Sequence, residues 1–202
     1  MTRKQSIRHR KRYRCLAPVV LLLLAAGFFT DSLLIHAKAV LAQYLIKDAW
    51  QRTLDNTDKS GIKPWPWADT WPVARLQALQ YGIDSYVLNG AQGNALAFGP
   101  GYVQGSAPPG SNGATIIGGH RDTHFRFMRQ LQPGDTVLLT NTEGRSRRYR
   151  VVTVAVVDSQ RQPLYADHRQ AQLILVTCYP FIDFEPGGPL RYVARAVAIA
   201  NS

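Results

Sequence analysis

Cysteine is scarce in this chain, whose 202 residues include only Cys15 and Cys178. Cys178 closes the run LILVTC (residues 173–178), which is rich in strand-forming side chains, and Pro180 ends that run two positions later. A cysteine at the exit of a strand can be a core thiol, half of a disulfide, a metal ligand or a nucleophile. The surrounding sequence has to decide among these four roles.

Acidic residues are absent from the first fourteen positions, MTRKQSIRHRKRYR, which hold seven lysines and arginines. This basic head contributes seven of the formal net charge of +11 and leaves +4 for the rest of the chain. The high isoelectric point therefore says little about nucleic acid. We expect no nucleic-acid partner.

Charge of either sign is absent from the next sixteen residues, CLAPVVLLLLAAGFFT. That run is slightly shorter than the roughly 17–25 residues of a spanning helix, but apolar sequence resumes after Asp31. We therefore predict a basic cytoplasmic head over residues 1–14 and a transmembrane signal anchor over residues 15–35. A basic flank before an apolar run keeps the N-terminus in the cytoplasm. The protein is then a single-pass inner (cell) membrane protein whose C-terminal domain faces the periplasm or the outside.

A cleaved signal peptide is the alternative interpretation of this segment. Ala37-Lys38-Ala39 fits the small-x-small cleavage rule. This site lies about ten residues beyond the apolar run, which is far for a signal peptide, so the sequence favours an uncleaved anchor.

The predicted topology separates the two cysteines. Cys15 lies at the cytoplasmic edge of the anchor and Cys178 in the exported part, so the two cannot pair within one chain. An unpaired cysteine in an oxidising compartment is a liability unless it is buried or used.

Residues 36–63 are predicted to form an amphipathic helix and a linker. Apolar residues recur at helical spacing between Leu33 and Ala49, and this helix either docks on the following domain or lies on the bilayer. The polar, turn-rich residues 51–64 read as the linker. The segment PWPWADTWP that follows is either an aromatic belt at the membrane interface or an extended clamp on the domain, and both interpretations remain open.

Residues 64–202 are predicted to be a mainly β domain. Short runs rich in Val, Ile, Leu and Tyr alternate with Gly, Pro, Asn and Asp, and only short helices fit, at Pro72–Gln80 and Arg126–Leu131. Many short strands separated by turns indicate a barrel or a sandwich. The predicted strands are Ser85–Leu88, Ala95–Phe98, Ala114–Gly118, Thr136–Thr140, Arg148–Val157, Gln172–Thr177 and Leu190–Ile199.

His120 ends the run ATIIGGH, in which a strand and two glycines deliver the histidine to a loop. It is either an ordinary loop histidine or a group that can reach substrate. His120 and His124 lie four residues apart with Asp122 between them, which invites a zinc interpretation. Arg121 stands where the helical metalloprotease motif has its catalytic Glu, and no third ligand has suggestive spacing. We therefore expect no metal.

The predicted strand order places Cys178 close to Arg191. Cys178 ends one predicted strand, and Arg191 starts the next after a short connection, which favours antiparallel neighbours. The end of the first strand and the start of the second then lie at the same edge of the sheet. A guanidinium near a thiol stabilises the thiolate and can hold a developing oxyanion. Arg195 shares this strand face but lies about 13 Å farther along, at ~3.3 Å per residue.

These residues resemble the sortase family of cysteine transpeptidases. The family pattern has a strand ending Thr-Leu-x-Thr-Cys, an upstream His and an Arg shortly downstream. This chain carries the pattern in three segments, LVTCYPF, IIGGHRDTHF and GPLRYVARA. His120 lies 58 residues before Cys178, and Arg191 lies 13 residues after it. Ile174 stands at the first Thr of the pattern, and the Thr beside the cysteine is kept as Thr177. The anchor, the Trp-rich entry and TCYPF look most like the proteobacterial sortases called class GN.

The resemblance implies a sortase-type eight-stranded β-barrel with short helices over residues 64–202. It implies that Cys178 attacks the threonine carbonyl of an LPxTG-like sorting signal on a secreted protein, with His120 as proton shuttle. Arg191 and the backbone near Thr177 would hold substrate and oxyanion. An amine would resolve the thioester, and no cofactor is implied.

Two other functions compete with this one. An L,D-transpeptidase is also exported and also uses Cys, His and Arg, but its His and Gly precede the cysteine directly, where this chain has Val176-Thr177. A membrane-anchored binding module without catalysis would use the basic stretches Arg145–Arg150 and Arg121–Arg129 to dock acidic partners. Selective reaction of Cys178 with an activated sorting peptide separates the three.

Overall fold

A computed structural model describes residues 18, 21–22, 33–58, 61–161, 170–182 and 188–199. The chain forms two compact units, Met1–Ala42 and Gln43–Ser202. Helix α1 (residues 33–55) contributes residues 33–42 to the first unit and residues 43–55 to the second.

In the first unit, the described helical residues expose large apolar side chains. Leu33 and Ile35 are 70% and 68% exposed. Most of the predicted anchor, residues 15–35, lies outside the described residues. Within the part of the chain that the structure describes, no helix combines the length and the apolar character needed to cross a membrane.

The second unit is a closed barrel of eight strands in the order β1-β2-β3-β4-β7-β8-β6-β5. Neighbouring strands are antiparallel except β2–β3 and β4–β7, which are parallel. This closed barrel confirms the predicted fold and excludes the sandwich. The strands are β1 (Pro72–Ala78), β2 (Ile83–Asn89), β3 (Gly101–Tyr102), β4 (Ala114–Gly118), β5 (Thr136–Asn141), β6 (Ser146–Asp158), β7 (Gln172–Cys178) and β8 (Leu190–Ala198). Between them lie helix α2 (Asn94–Phe98) and the 3₁₀ turns Leu79–Tyr81 and Arg126–Gln130.

The core fills the inside of the barrel. Successive side chains of a strand point to opposite faces, so each strand sends every second residue inward. Residues sent inward that are at most 1% exposed include Leu76, Val87, Ile117, Val137, Leu139, Tyr149, Val151, Leu173, Leu175 and Ala194.

Two predicted elements are wrong, and both are short. Pro72–Gln80, predicted as a helix, is strand β1 followed by a 3₁₀ turn. Its Ala, Leu, Arg and Gln favour a helix, but burial alternates along it and it pairs with β2 and β5. Ala95–Phe98, predicted as a strand, lies in helix α2. Short apolar runs do not reveal their period, and tertiary packing decides them.

Helix α1 docks on the barrel within the second unit. Ile46 and Trp50 are each 1% exposed. Ile46 clusters with Leu88 and Ala95, and the Trp50 ring lies 6.1 Å from that of Tyr86. The docked face answers the choice between domain and bilayer for residues 43–55, which belong to the same compact unit as the barrel.

The Trp-rich segment clamps the barrel through part of its length. Trp65 meets Phe98 edge to face, with 5.2 Å between ring centroids, and the Thr70 hydroxyl donates to the Asn89 carbonyl at 2.8 Å. Trp67, in contrast, is 82% exposed. The clamp interpretation therefore holds for Trp65 and Thr70.

Candidate active site

The β7–β8 hairpin places Cys178 opposite Arg191. The two strands are antiparallel, and the Cα register pairs Cys178 with Arg191 as its last step. Pairing continues one residue further, where the Tyr179 amide donates to the Leu190 carbonyl at 3.1 Å. The backbone pairing therefore shows Cys178 and Arg191 as neighbours, as the short connection between their strands predicted.

Strand β4 brings His120 to the other side of Cys178. It runs parallel to β7, and Gly118 is the partner of Val176. The Gly119 amide then donates to the Val176 carbonyl at 3.1 Å. The Gly119 carbonyl in turn accepts from the Thr177 hydroxyl at 2.7 Å, so the residue directly before His120 is bonded to the residue directly before Cys178. Three neighbouring strands thus deliver the imidazole, the thiol and the guanidinium to one rim.

Cys178 lies on the outer face of the barrel. Leu173 and Leu175 of β7 point into the core, whereas Ile174 belongs to a separate apolar cluster with Ala114 and Val193. Cys178 shares the parity of Ile174, and it is half-buried. Cys178 is therefore partly accessible at the rim of the barrel and does not belong to the buried core.

The guanidinium of Arg191 is held by the loop before β8. Its Nη1 donates to the carbonyl oxygens of Gly188 at 2.5 Å and Leu190 at 2.9 Å. A guanidinium carries five N–H donors, so two acceptors do not saturate it. These contacts orient a cation whose remaining donors can serve a substrate oxygen.

Arg195 lies farther along the same face. Its Cα partner on β7 is Ile174, four residues before Cys178. The backbone register thus separates the two arginines, as the hairpin argument required.

The loop that carries His120 is anchored by a buried aromatic ring. His120 itself is exposed, its carbonyl accepts from the Phe125 amide at 2.9 Å, and Phe125 is fully buried. A Cβ added to Gly119 would lie 2.7 Å from the Phe125 ring. Gly119 is required here because the ring occupies the space that any side chain would need.

A family model for the Sortase domain matches residues 76–199, a range that includes His120, Cys178 and Arg191. The chain belongs to the sortase family. Sortase D of Bacillus subtilis (strain 168) is 33% identical over 108 residues, which are 53% of this chain and 54% of that protein. The chain thus spans about half the length of the curated relative that it matches.

Solved sortase structures share this barrel. The Clostridium perfringens Sortase D5 transpeptidase aligns with a TM-score of 0.61 at 21% identity, covering 79% of this chain and 96% of that one. Sortase A from Corynebacterium diphtheriae gives 0.60 at 21% identity, covering 80% and 85%. At this identity the likeness shows the fold, and it supports the sortase-type barrel without assigning a class.

His124 of this sortase helps to hold the loop that carries His120. Burial lowers its pKa, the neighbouring His120 lowers it further, and a hydrogen bond to the Ala97 backbone opposes both effects. An imidazole held neutral can brace the loop against α2. Among the described residues, no three His, Cys, Asp or Glu side chains group closely enough to hold a metal ion.

Two features of the sortase site escaped the sequence analysis. Arg121, which the sequence connected only with a basic stretch and with the rejected zinc motif, donates from Nη1 to the Pro180 carbonyl at 2.6 Å. Tyr192 stacks on Tyr179 with centroids 6.3 Å apart and meets Phe181 edge to face at 5.1 Å. The position of Arg121 directly after His120 was the available signal, and nothing local connects it to a residue 59 positions away.

The basic stretches proposed for a binding module are partly engaged by the chain itself. Arg147 donates to the Ser111 carbonyl at 3.0 Å, Arg145 pairs with Glu143, and Arg126 donates to the Asp122 carbonyl. Only the Glu143 carboxylate offsets an arginine's charge; the carbonyl acceptors fix the orientation of Arg147 and Arg126 and leave their charge unchanged. These contacts therefore do not favour docking over catalysis.

Proposed function

We propose that this protein is a membrane-anchored cysteine transpeptidase that cleaves an LPxTG-like C-terminal sorting signal and transfers the protein to an amine. The observation that carries the proposal is the Cys178–Arg191 pair at the end of β7–β8, next to the strand that leads to His120. A thiol nucleophile, a proton-transfer group and an oxyanion donor are the three parts that acyl transfer needs.

In the proposed acylation step, the Cys178 thiolate attacks the carbonyl carbon of the signal's threonine. The carbonyl oxygen takes the electron pair, and Arg191 with the backbone N–H near Thr177 holds the resulting oxyanion. Collapse of this intermediate breaks the C–N bond, and His120 gives its proton to the leaving amine. The products are a thioester on Cys178 and a released C-terminal peptide.

In the second step, an amine attacks the thioester carbonyl and His120 removes the amine's proton. The C–S bond breaks, the thiolate of Cys178 returns, and a new amide joins the secreted protein to its acceptor. Every proton passes through His120, and the cycle requires no cofactor.

The outer face beside Cys178 suits an aliphatic peptide. Ala114, Ile174 and Val193 are already buried there, whereas Ile116, Val157 and Val176, which pack against them, are only partly buried and keep apolar surface exposed. Burying one aliphatic side chain there would contribute about 1.5–3 kcal/mol. This apolar surface supports a signal whose first residues are leucine and proline.

The proposal also includes a membrane anchor and a class within the sortase family. The seven-charge head before an uncharged run supports a single-pass protein of the inner (cell) membrane, with the barrel facing the periplasm or the outside. The Trp-rich entry and TCYPF support the proteobacterial class GN among sortases.

The decisive experiment is intact-mass and peptide mass spectrometry of the purified protein after incubation with LPxTG-type peptides. We expect a thioester on Cys178 that hydroxylamine or a peptide amine discharges. The Cys178→Ala variant should form none, while its free energy of unfolding changes by no more than about 1–2 kcal/mol because the residue lies on a rim. A folded Cys178→Ala protein that still joins peptide to amine would refute the proposed nucleophile.

A further inference from the structure

Two side-chain hydrogen bonds bracket the His120–Cys178 pair. The Thr177 hydroxyl donates to the Gly119 carbonyl at 2.7 Å, which joins the residues directly before the cysteine and the histidine. Arg121 Nη1 donates to the Pro180 carbonyl at 2.6 Å, which joins the residue after the histidine to the second residue after the cysteine. One bond thus lies on each side of the reacting groups.

The two bonds differ in what surrounds them. Thr177 and Gly119 stand where the parallel β4–β7 pairing ends, and the Gly119 amide already bonds the Val176 carbonyl there. Arg121 and Pro180 lie beyond the ends of β4 and β7, each in the loop that follows its strand. A bond from a charged donor is stronger than a neutral one, and here it connects two loops.

We infer that Arg121 is a positioning residue, which sets the distance between the His120 imidazole and the Cys178 sulfur by tying their two loops together. The inference deepens the function proposed above and rests on it for the roles of His120 and Cys178. Proton transfer between such groups depends on hydrogen-bond reach, about 2.6–3.2 Å between heavy atoms. A loop free to shift by one ångström would break that reach.

Arg126 is the matched control within the same loop. Its Nε and Nη2 donate to the Asp122 carbonyl at 3.0 and 2.7 Å, so its contacts stay inside the loop and do not reach β7. Both arginines follow His120 closely and carry the same charge. A general charge effect would change the reaction rates of both variants alike, whereas the contact between the two loops predicts that only the Arg121 variant is slowed.

The test measures how strongly His120 and Arg121 depend on each other. Full-length protein in detergent is alkylated with iodoacetamide at a series of pH values, and mass spectrometry of the Cys178 peptide gives the rate without interference from Cys15. The variants are His120→Ala, Arg121→Met and the double variant. Methionine keeps an unbranched apolar stem and removes the donor.

We expect His120→Ala to slow alkylation near neutral pH by about 10- to 30-fold, because the thiolate is the reacting species and an ordinary thiol is only a few per cent ionised at pH 7. In the Arg121→Met background, the same change should slow alkylation by less than about threefold, because a displaced imidazole has already lost most of its effect. Arg121→Met should also lower the single-turnover acylation rate with a sorting peptide by about 10²-fold at nearly unchanged apparent KM. Arg126→Met should stay within about threefold of wild type in both assays, as expected for a surface change.

Arg121→Lys keeps a cationic donor and should recover at least part of the lost rate, which a packing role would not predict. An equal effect of His120→Ala in both backgrounds would overturn the inference, and so would Arg121→Met performing as well as Arg121→Lys. If wild type forms no thioester while the effect of His120→Ala on alkylation still depends on Arg121, the proposed substrate is wrong and the positioning role stands. If wild type acylates and that dependence is absent, only the positioning role fails.

Discussion

At the residue scale, Arg191 and Arg195 illustrate how register decides chemistry. The two side chains share a strand, a face and a charge, so composition cannot separate them. The register can, because Arg191 pairs with Cys178 and Arg195 pairs with Ile174. Four residues of strand amount to about 13 Å, too far for one guanidinium to serve an oxyanion at the sulfur.

We predict that Arg191→Lys slows the formation of the Cys178 thioester by at least about 10²–10³-fold, the usual cost of losing an oxyanion donor. A lysine ammonium is a flexible point charge, and it cannot donate two bonds from a fixed plane. Arg195→Lys should stay within a few-fold of wild type. Single-turnover rates of both variants, after each is confirmed to be folded, measure the difference. A crippled Arg195→Lys would mean that the wrong arginine has been assigned.

At the element scale, the glycine pair between β4 and the His120 loop is asymmetric. A Cβ on Gly118 would meet the Ala91 Cβ at 3.6 Å, an ordinary contact, whereas a Cβ on Gly119 would lie 2.7 Å from the ring of Phe125. That ring is fully buried and cannot withdraw without opening the core. The second glycine therefore holds the loop against the barrel.

We predict that Gly119→Ala lowers the free energy of unfolding by about 1–3 kcal/mol, the usual cost of overpacking. Because the next residue is His120, the acylation rate should fall as well. Gly118→Ala is the matched control and should change stability by less than about 1 kcal/mol. Urea unfolding of both variants makes the comparison, and equal stabilities would show that the Phe125 ring does not restrict this turn.

A second link between elements joins the turn after β1 to the turn before β5. The Tyr81 hydroxyl donates to the Asp135 carboxylate at 2.6 Å, and the same carboxylate accepts from the Gln132 amide at 2.7 Å. The hydrogen bond to Asp135, with a contribution from burial, raises the pKa of Tyr81 from 10.0 to about 12. Ionised tyrosine would lose the donor and repel the carboxylate.

We predict that Tyr81→Phe destabilises the barrel by about 1 kcal/mol at neutral pH, the typical net worth of such a bond. A tyrosine whose folded pKa is raised contributes stability that is fully present below pH 10 and lost as the pH rises through 12. The difference between wild type and Tyr81→Phe should therefore shrink across this window. Tyr44→Phe, at a position 67% exposed, is the control. A difference that grows above pH 10 would contradict the assigned contact.

At the scale of the whole molecule, charge and apolar sequence are divided along the chain. The basic head and the uncharged run lie at the N-terminus, and the barrel with its rim of Cys178, His120 and Arg191 lies in the second compact unit. The proposed function places the barrel and its substrate on the far side of the membrane, and a basic head before an apolar run would give that orientation.

We predict that protease added to spheroplasts digests the barrel and leaves a small membrane-bound N-terminal fragment. The physical reason is the seven-charge head, because a basic flank before an apolar run is expected to keep the N-terminus in the cytoplasm. Detection by an N-terminal tag measures the fragment, and a cytoplasmic protein serves as the intactness control. Full-length protein that survives protease would refute the orientation, and spontaneous release of a domain starting at Val40 would establish the cleaved signal peptide instead.

The sequence by itself determined the elements whose signals are local. Runs of strand-forming residues bounded by turn residues located strands such as Ala114–Gly118 to the residue. A short connection made β7 and β8 antiparallel neighbours, so Cys178 had to meet Arg191. Only the tertiary structure decided β1, whose Ala, Leu, Arg and Gln favour a helix. It also decided α2 and the two-residue strand β3, because their runs are too short to show a period. The parallel pairing of β4 with β7, which places the residue before His120 against the residue before Cys178, and the contact of Arg121 with Pro180 were likewise decided by the tertiary structure. Parallel pairing requires a long crossover, so its partners are chosen by what the closed barrel buries and not by any local pattern.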